Sequence, residues 1–496
     1  MSTPSALLIG AGLGGIAAAA HLAQRGWRVT VLEKNARPGG RCERLVHAGH
    51  TFDTGPTLFI MPHVYAAEFA ALGTSMPERL ELQRVDPTYH LVFDDGSQLS
   101  LTSDLKRMQE QLDAVEPGSF PGFLRYLDEG HRHYHVAMRR LVNRDFRSAF
   151  DFFSLGNLPL LFQLQPLAPH YRHMAAFFRE PRLKAAFTFQ DVYMGLSPFE
   201  APATFSMMPY TELAHGVWFP RGGLYRVVEA FMEVAREAGV EFVFKTPVER
   251  IDVAGTRATG VVLADGQRLA ADVVLANADL PYVYQALLPP DGEAERLARK
   301  RYSCSVISFF WGVDKAYPAL GPHTLFLADD YRGNFERIAR NQPLPERPSL
   351  YVHAPARLEA AFAPAGQDTL IGIVPIGHID EAQEQDWGAL RDQARQSLFT
   401  RLAELGLTDL EAHLKFEISY TPLAWRKRYN LVKGATHGLC HNLTQLGYLR
   451  PANRHARYRN LYFVGASTHP GTGLPTALVS GRLAAQRIVD DYGGRR

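Results

Sequence analysis

The sequence predicts an α/β fold, α+β overall, built on a parallel dinucleotide-binding sheet into which a second unit is inserted. Three stretches predict it, widely separated in a chain of 496 residues. Near the N-terminus an apolar strand enters a glycine-rich turn, a helix of small residues and a second strand. After Gly222-Gly223 come an amphipathic helix, a strand, a hairpin and another strand. At the C-terminal end a strand, a glycine-rich loop and a helix follow one another again. With 46% hydrophobic and 21% charged residues, a disordered or collagen-like chain is excluded.

Ala6-Leu7-Leu8-Ile9 reads as a buried strand and Gly10-Ala11-Gly12-Leu13-Gly14-Gly15 as the turn after it. Ile16 to Arg25 is the helix, ended by Gly26. Trp27 to Leu32 is the second strand and Glu33 closes it. Here Gly10 permits the tight turn, Gly12 lets backbone approach a pyrophosphate, and Gly15 lets helix and sheet lie close. The pyrophosphate meets the positive helix start, and Glu33 faces the adenosine ribose hydroxyls. Strand, helix, strand and acid in this order predict a bound adenine dinucleotide.

The residues after Glu33, Lys34-Asn35-Ala36-Arg37-Pro38-Gly39-Gly40-Arg41, resemble the E-x-x-x-x-x-G-G-R pattern of the FAD-binding amine oxidase and carotenoid desaturase superfamily. Ala48 to Thr57 resembles that family's segment beside the isoalloxazine ring. The resemblance implies a glutathione-reductase-type FAD-binding Rossmann domain in an amine-oxidase-like flavoprotein. It implies FAD contacts at Gly10, Gly12, Gly14, Gly15, Glu33, Lys34, Gly40, Arg41, Gly55, Pro56 and Thr57.

Arg459 to Gly465 is the C-terminal strand, Ala466 to Pro475 the loop, and Thr476 to Val489 the helix. They read as the closing piece of the same domain. The resemblance places Gly465, Ala466, Gly473, Leu474 and Pro475 against the flavin, with the helix start able to stabilise a reduced, anionic ring. Where many related flavoproteins carry an acid after the strand glycine, this chain has Ala466, so no carboxylate contact is expected there. Thr468-His469-Pro470-Gly471-Thr472-Gly473-Leu474-Pro475 resembles the signature of bacterial-type phytoene desaturases and dehydrosqualene (diapophytoene) desaturases. Gly216 to Gly223, Arg450-Pro451-Ala452-Asn453-Arg454 and Ala186 to Phe199 resemble further segments of that family, in matching order. Tyr302-Ser303-Cys304-Ser305 is closer to the dehydrosqualene branch.

In the middle, Leu224 to Ala238 is an amphipathic helix and Glu241 to Phe244 a strand. Asp265-Gly266 turns a hairpin and Asp272 to Ala278 is a parallel strand. Val248 matches the position that meets the adenine end. Asn277 lies at a strand C-terminus, where ligands bind in open α/β sheets. The expected division is a discontinuous FAD-binding domain of residues 1–105, 206–284 and 441–496. A helical substrate or membrane-facing region covers 106–205, and a mixed α/β substrate domain covers 285–440.

Lys+Arg and Asp+Glu number 53 and 51, which argues against nucleic acid as a partner. Cys42, Cys304 and Cys440 stand far apart, so neither a disulfide framework nor a metal cluster is expected, and a reducing compartment suits them. No uncharged apolar run reaches ~18 residues and the N-terminus lacks a signal-peptide pattern. Arg139, Arg140, Arg144 and Arg147 precede Phe150-Asp151-Phe152-Phe153-Ser154-Leu155 and Leu158-Pro159-Leu160-Leu161-Phe162. Two readings fit this stretch: a buried helix with solvated arginines, or a patch that docks on an anionic bilayer. The expected location is peripheral, on the cytoplasmic side of a membrane.

The family's reaction inserts C=C bonds into a linear polyisoprene, a long apolar isoprenoid, by hydride transfer to flavin N5 and proton loss. Oxygen and quinone are both open as electron acceptors. Candidates for the proton are His469, Asp53 and the Asp145/Arg147 pair, with Asp53 read chiefly as a turn cap. His131, His133 and His135 are read as surface residues of a helix. Other readings of the same fold are a carotenoid isomerase, a carotenoid end-group oxidase, an amine oxidase, or a non-catalytic prenyl-binding protein of the Rab-escort type.

Overall fold

A computed structural model describes residues 3–493. Five parallel strands form the first sheet, in the order Leu461–Phe463, Val273–Ala276, Ser5–Ile9, Arg28–Leu32, Glu241–Val243. Segments from both ends and the middle of the chain therefore share one sheet. Its alternation is strict. Ala6, Leu8, Val29, Val31, Val273 and Leu275 face one core, while Leu7, Ile9, Leu32, Val274 and Ala276 face another. The period of two sends successive side chains to opposite faces, and both faces are covered.

The first face is covered by helix Leu13–Gln24, which packs between helices Leu474–Gly493 and Tyr225–Glu237. Small residues allow this. A Cβ on Gly481 would lie 2.5 Å from the Gly14 carbonyl oxygen and 3.0 Å from the Ala18 nitrogen. The second face is covered by the three-stranded sheet Val248–Ala254, Arg257–Leu263, Arg268–Ala270.

Asp53 does more than cap a turn. It accepts from the backbone N–H of Leu224 at 2.6 Å and of Tyr225 at 3.1 Å, so it caps helix Tyr225–Glu237 from a strand 171 residues away. Burial pushes its carboxyl up to about 6, against those two N–H groups. An unfolded aspartate titrates near ~4. The stabilising contribution of the protonated form is full below about 4 and is lost as pH rises through about 6. Asp53→Asn should remove it. Wild type should lose on the order of 1–3 kcal/mol relative to the variant between pH 4 and 7, read as unfolding free energy in urea. A difference that stays constant with pH would refute the assignment.

The second sheet has seven strands, in the order Leu414–Tyr420, Ser305–Val313, Asp368–Ile376, Leu350–His353, His323–Leu327, Tyr89–Phe93, Gln98–Leu101. Helix Trp387–Glu404 closes one side of it. Here the boundary read at 105 is corrected. Tyr89–Phe93 pairs in parallel with His323–Leu327, so residues 89–101 form the far edge of this sheet. Tyr89, Leu91 and Phe93 point into the helical region's core, where Met108, Phe123, Tyr126 and Phe187 meet them.

The helical region carries helices Leu105–Val115 and Phe120–Ala137 and a series of short turns. Its histidines also need correction. His133 is buried, with Nδ1 2.7 Å from Ser206 Oγ, whereas His131 and His135 share a face, rings 4.4 Å apart. The buried-helix reading of the following stretch is overturned. Phe150 is 87% exposed, Leu155 83% and Phe162 84%. Among the described residues, no helix is long and apolar enough to cross a membrane.

Candidate active site

Both glycine-rich turns meet at one cavity of ≈ 560 Å3. Gly10, Gly12 and Gly14 line it from the first turn; Gly465, Ala466, Gly473, Leu474 and Pro475 line it from the last. Asn277 joins them, donating from Nδ2 to the carbonyls of Gly10 at 3.1 Å and Gly12 at 3.3 Å. Glu33, Lys34, Gly40, Arg41, Gly55, Pro56, Thr57 and Val248 complete this part of the wall. Gly15 lies behind it, where a Cβ would strike the Gly10 carbonyl oxygen at 2.6 Å. It serves the close helix approach and does not line the cavity.

Three side chains of the wall are held by traceable contacts. Glu33 accepts from the N–H of Ala11 and of Asn35, both at 2.8 Å. It therefore shapes the turn as well as facing the cavity, and burial raises its pKa. Lys34 Nζ donates to Asn430 Oδ1 at 2.7 Å, and Arg41 Nη1 donates to the Thr436 carbonyl at 2.6 Å. Gly55 permits a crossing, since a Cβ there would lie 1.9 Å from the Arg41 carbonyl oxygen.

The motif Arg450 to Arg454, to which the sequence alone assigns no role, acquires one in the fold. Arg450 is 2% exposed and donates to the carbonyls of Thr468 at 3.0 Å, Leu439 at 3.1 Å, Cys440 at 3.1 Å, Gln445 at 3.2 Å, and Ala466. Asn453 Nδ2 donates to the carbonyls of Phe463 and His469, both at 3.1 Å. The pair fixes the loop that follows strand Leu461–Phe463.

The proton candidates fare differently. The His469 ring does not line the cavity; it packs against Phe146, ring centroids 5.5 Å apart, and burial pushes it down to about 4. Asp145 pairs with Arg487 at 2.9 Å, and Arg147 pairs with Asp490 at 2.5 Å. Both belong to a network on the outer side of helix Leu474–Gly493 and away from the cavity.

Beyond Thr57 the same cavity continues between the seven-stranded sheet and the helical region. Its wall there is apolar and aromatic: Met138, Phe189, Leu325, Leu327, Phe335, Ile373 and others. Polar atoms are few. Tyr351 donates to Thr57 Oγ1 at 2.9 Å, and the hydroxyls of Tyr89 and Tyr193 face each other. A polar cradle thus opens directly into a long hydrocarbon-lined tunnel.

The family model "Flavin containing amine oxidoreductase" matches residues 13–489. A zeta-carotene-forming phytoene desaturase of Myxococcus xanthus is 43% identical over 97% of this chain and 93% of that protein. The chain belongs to this flavoprotein family, in its phytoene desaturase branch. A 4,4'-diapophytoene desaturase (4,4'-diapolycopene-forming) of a Methylomonas species is 34% identical over 99% of the chain and 96% of that protein. In fold, it resembles putrescine oxidase bound to putrescine, with TM-score 0.64, 15% identity, and 99% of each chain covered. The chain is an FAD-dependent oxidoreductase acting on a polyisoprenoid.

The cradle fits that cofactor. The starts of helices Leu13–Gln24 and Leu474–Gly493 both meet the cavity, and helix starts leave N–H groups free for phosphate and ring oxygens. A side chain at Gly12 would also crowd Asn277, its Cβ falling 2.9 Å from Asn277 Nδ2.

Proposed function

We propose that the enzyme introduces C=C bonds into a linear C40 polyisoprenoid of the phytoene class, taken from a membrane on whose cytoplasmic face it rests. The observation that carries this reading is the continuity of cradle and tunnel in one cavity. FAD, when bound, supplies the hydride acceptor. The chain does the rest. Glycine backbone and Arg41 would hold the diphosphate end, with Asn277 fixing the turn through the Gly10 and Gly12 carbonyls, and the Thr57 loop marks where cradle becomes tunnel. The apolar wall binds a substrate that has no polar handle, at roughly 0.8 kcal/mol per buried CH₂, less the ordering costs. It also keeps water from the carbon that becomes electron-poor.

The 43% identity to a phytoene desaturase against 34% to a diapophytoene desaturase supports C40, contrary to the lean from Tyr302 to Ser305. Holoenzyme with liposomes containing phytoene or dehydrosqualene tests it. Phytoene should yield the coloured polyene faster. Conversion of neither would end the reading, and preference for dehydrosqualene would make the substrate C30. Under argon, restoration of turnover by a quinone would identify quinone over oxygen as acceptor.

The membrane part rests on the exposed segment. Phe150, Phe153, Leu155, Leu158, Phe162 and Leu167 are all more than half exposed, beside exposed Arg139, Arg144 and Arg147. An apolar surface flanked by arginines suits an anionic lipid interface. Tyr134, Met138 and Val142 carry the tunnel wall up to this segment. Serine at Phe150, Phe153, Leu155 and Phe162 together should weaken flotation with anionic liposomes at least about tenfold, since each lost side chain is worth on the order of 1 kcal/mol in the interface. Turnover of detergent-delivered substrate should change little. Unchanged flotation would remove the membrane from the reading.

A further inference from the structure

Each double bond releases one proton inside a tunnel with few polar groups. The carboxyls that line the cavity are already engaged: Glu33 holds two backbone N–H groups, and Asp279 accepts from Ser467 Oγ at 2.6 Å and the Val432 N–H at 3.0 Å. One buried acid behind the wall has capacity left. Glu212 is 1% exposed. Its Oε2 accepts from Gln190 Nε2 at 3.1 Å, and its Oε1 has no hydrogen-bond partner among the described residues. Tyr193 is its polar neighbour on the tunnel side. The Tyr193 hydroxyl faces that of Tyr89, which also lines the tunnel. The Tyr89 ring lies 6.5 Å from that of Tyr351, the residue bonded to Thr57 at the cradle's edge. The two phenols therefore stand between the cofactor end of the tunnel and the buried acid.

We propose that Tyr193 is the catalytic residue that takes the substrate's proton, with Glu212 positioned behind it to receive the phenol's own. This rests on the desaturase reading above. The acceptor for a hydride from one carbon would be the bound FAD. The C–H bond on the neighbouring carbon then breaks, and its electron pair becomes the second bond of the C=C. The proton bonds to the Tyr193 oxygen as the Tyr193 O–H proton bonds to the Glu212 carboxylate.

Burial raises Glu212 to about 8, with Gln190 and Tyr193 pulling the other way. A minority is ionised at pH 7, and that form is a stronger base than an ordinary carboxylate. The groups facing it are Gln190 and Tyr193 from one turn, Tyr89 from its strand and Tyr126 from helix Phe120–Ala137. None is charged at neutral pH. The buried His170–Asp191 pair lies beyond Tyr126. The proton-transfer step should therefore speed up as pH rises through about 8.

Two measurements on the holoenzyme test this. Infrared titration should show the carbonyl stretch of a protonated carboxylic acid that fades near pH 8 and is missing from Glu212→Gln. In single turnovers with phytoene liposomes, Glu212→Gln and Tyr193→Phe should each slow formation of the desaturated polyene, read by its absorbance, about 100-fold or more. Flavin content should be unchanged, and the wild-type rise with pH should be flat in Glu212→Gln. No such band, or a Glu212→Gln rate within about threefold of wild type on the same pH profile, would overturn the proposal. Should Glu212→Gln fail to fold, Tyr193→Phe, which removes one oxygen, carries the kinetic arm alone. Wild type that is inert to phytoene would count against the substrate reading instead, while the infrared arm still decides the state of Glu212.

Discussion

Gly12→Val should give a folded protein that purifies without flavin, its FAD affinity lowered at least about 10³-fold, or ~4 kcal/mol. Backbone strain is not the reason. Gly12 sits at φ −71°, ψ 162°, which any residue adopts. The cost is spatial. A Cβ would stand 2.9 Å from Asn277 Nδ2, the group that ties the Gly10 and Gly12 carbonyls together. Displacing Asn277 leaves two carbonyls short of a donor, at roughly 1–3 kcal/mol. The valine methyls then fill the space through which a diphosphate would reach the start of helix Leu13–Gln24. Gly12→Ala should show the same defect about tenfold more weakly. Flavin-to-protein absorbance and fluorescence titration of the apoprotein measure both, with circular dichroism as the control for folding. A Gly12→Val protein with stoichiometric FAD would show that the diphosphate does not pass over Gly12.

The parts of this architecture that repeat locally were readable from sequence. Strand, glycine turn and helix follow within a few residues in both Ala6–Arg25 and Leu461–Val489. Period-two apolar patterning then dictates which residues the sheet buries on each side. What depends on distant partners was hidden. Tyr89–Phe93 reads as the same alternating strand whichever sheet receives it; only its pairing with His323–Leu327 decides. His133 is buried because Ser206 comes to it from 73 residues away. His469 lies within the cofactor-loop motif, yet the side chain turns toward Phe146, because adjacency in sequence does not set side-chain direction. Glu212 stands in an ordinary stretch of sequence, and its burial follows only from the elements packed around it.

Arg450→Ala should be the most damaging substitution outside the glycine turns. It should cost about 4–5 kcal/mol, a large part of the 5–15 kcal/mol that holds most domains together. The guanidinium is buried, has no carboxylate in contact among the described residues, and spends its donors on five backbone carbonyls. Burial pushes it down to about 9, so the site bears the expense of a desolvated charge in return for those five bonds. Alanine removes the charge but leaves the carbonyls buried, and unpaired groups of that kind cost more than the bonds had contributed. Lysine has three donors and no planar fork, and Arg450→Lys should fall between the two. The carbonyls of Ala466 and Thr468 belong to the loop against the flavin. That loop should loosen first, and flavin fluorescence should appear below the temperature at which the helical signal of Arg450→Ala is lost. Excess FAD should then raise that variant's melting temperature by more than it raises wild type's, because binding stabilises only the closed loop. Coincident flavin release and unfolding, with no response to added FAD, would show that Arg450 supports the whole domain and has no separate hold on the cofactor loop.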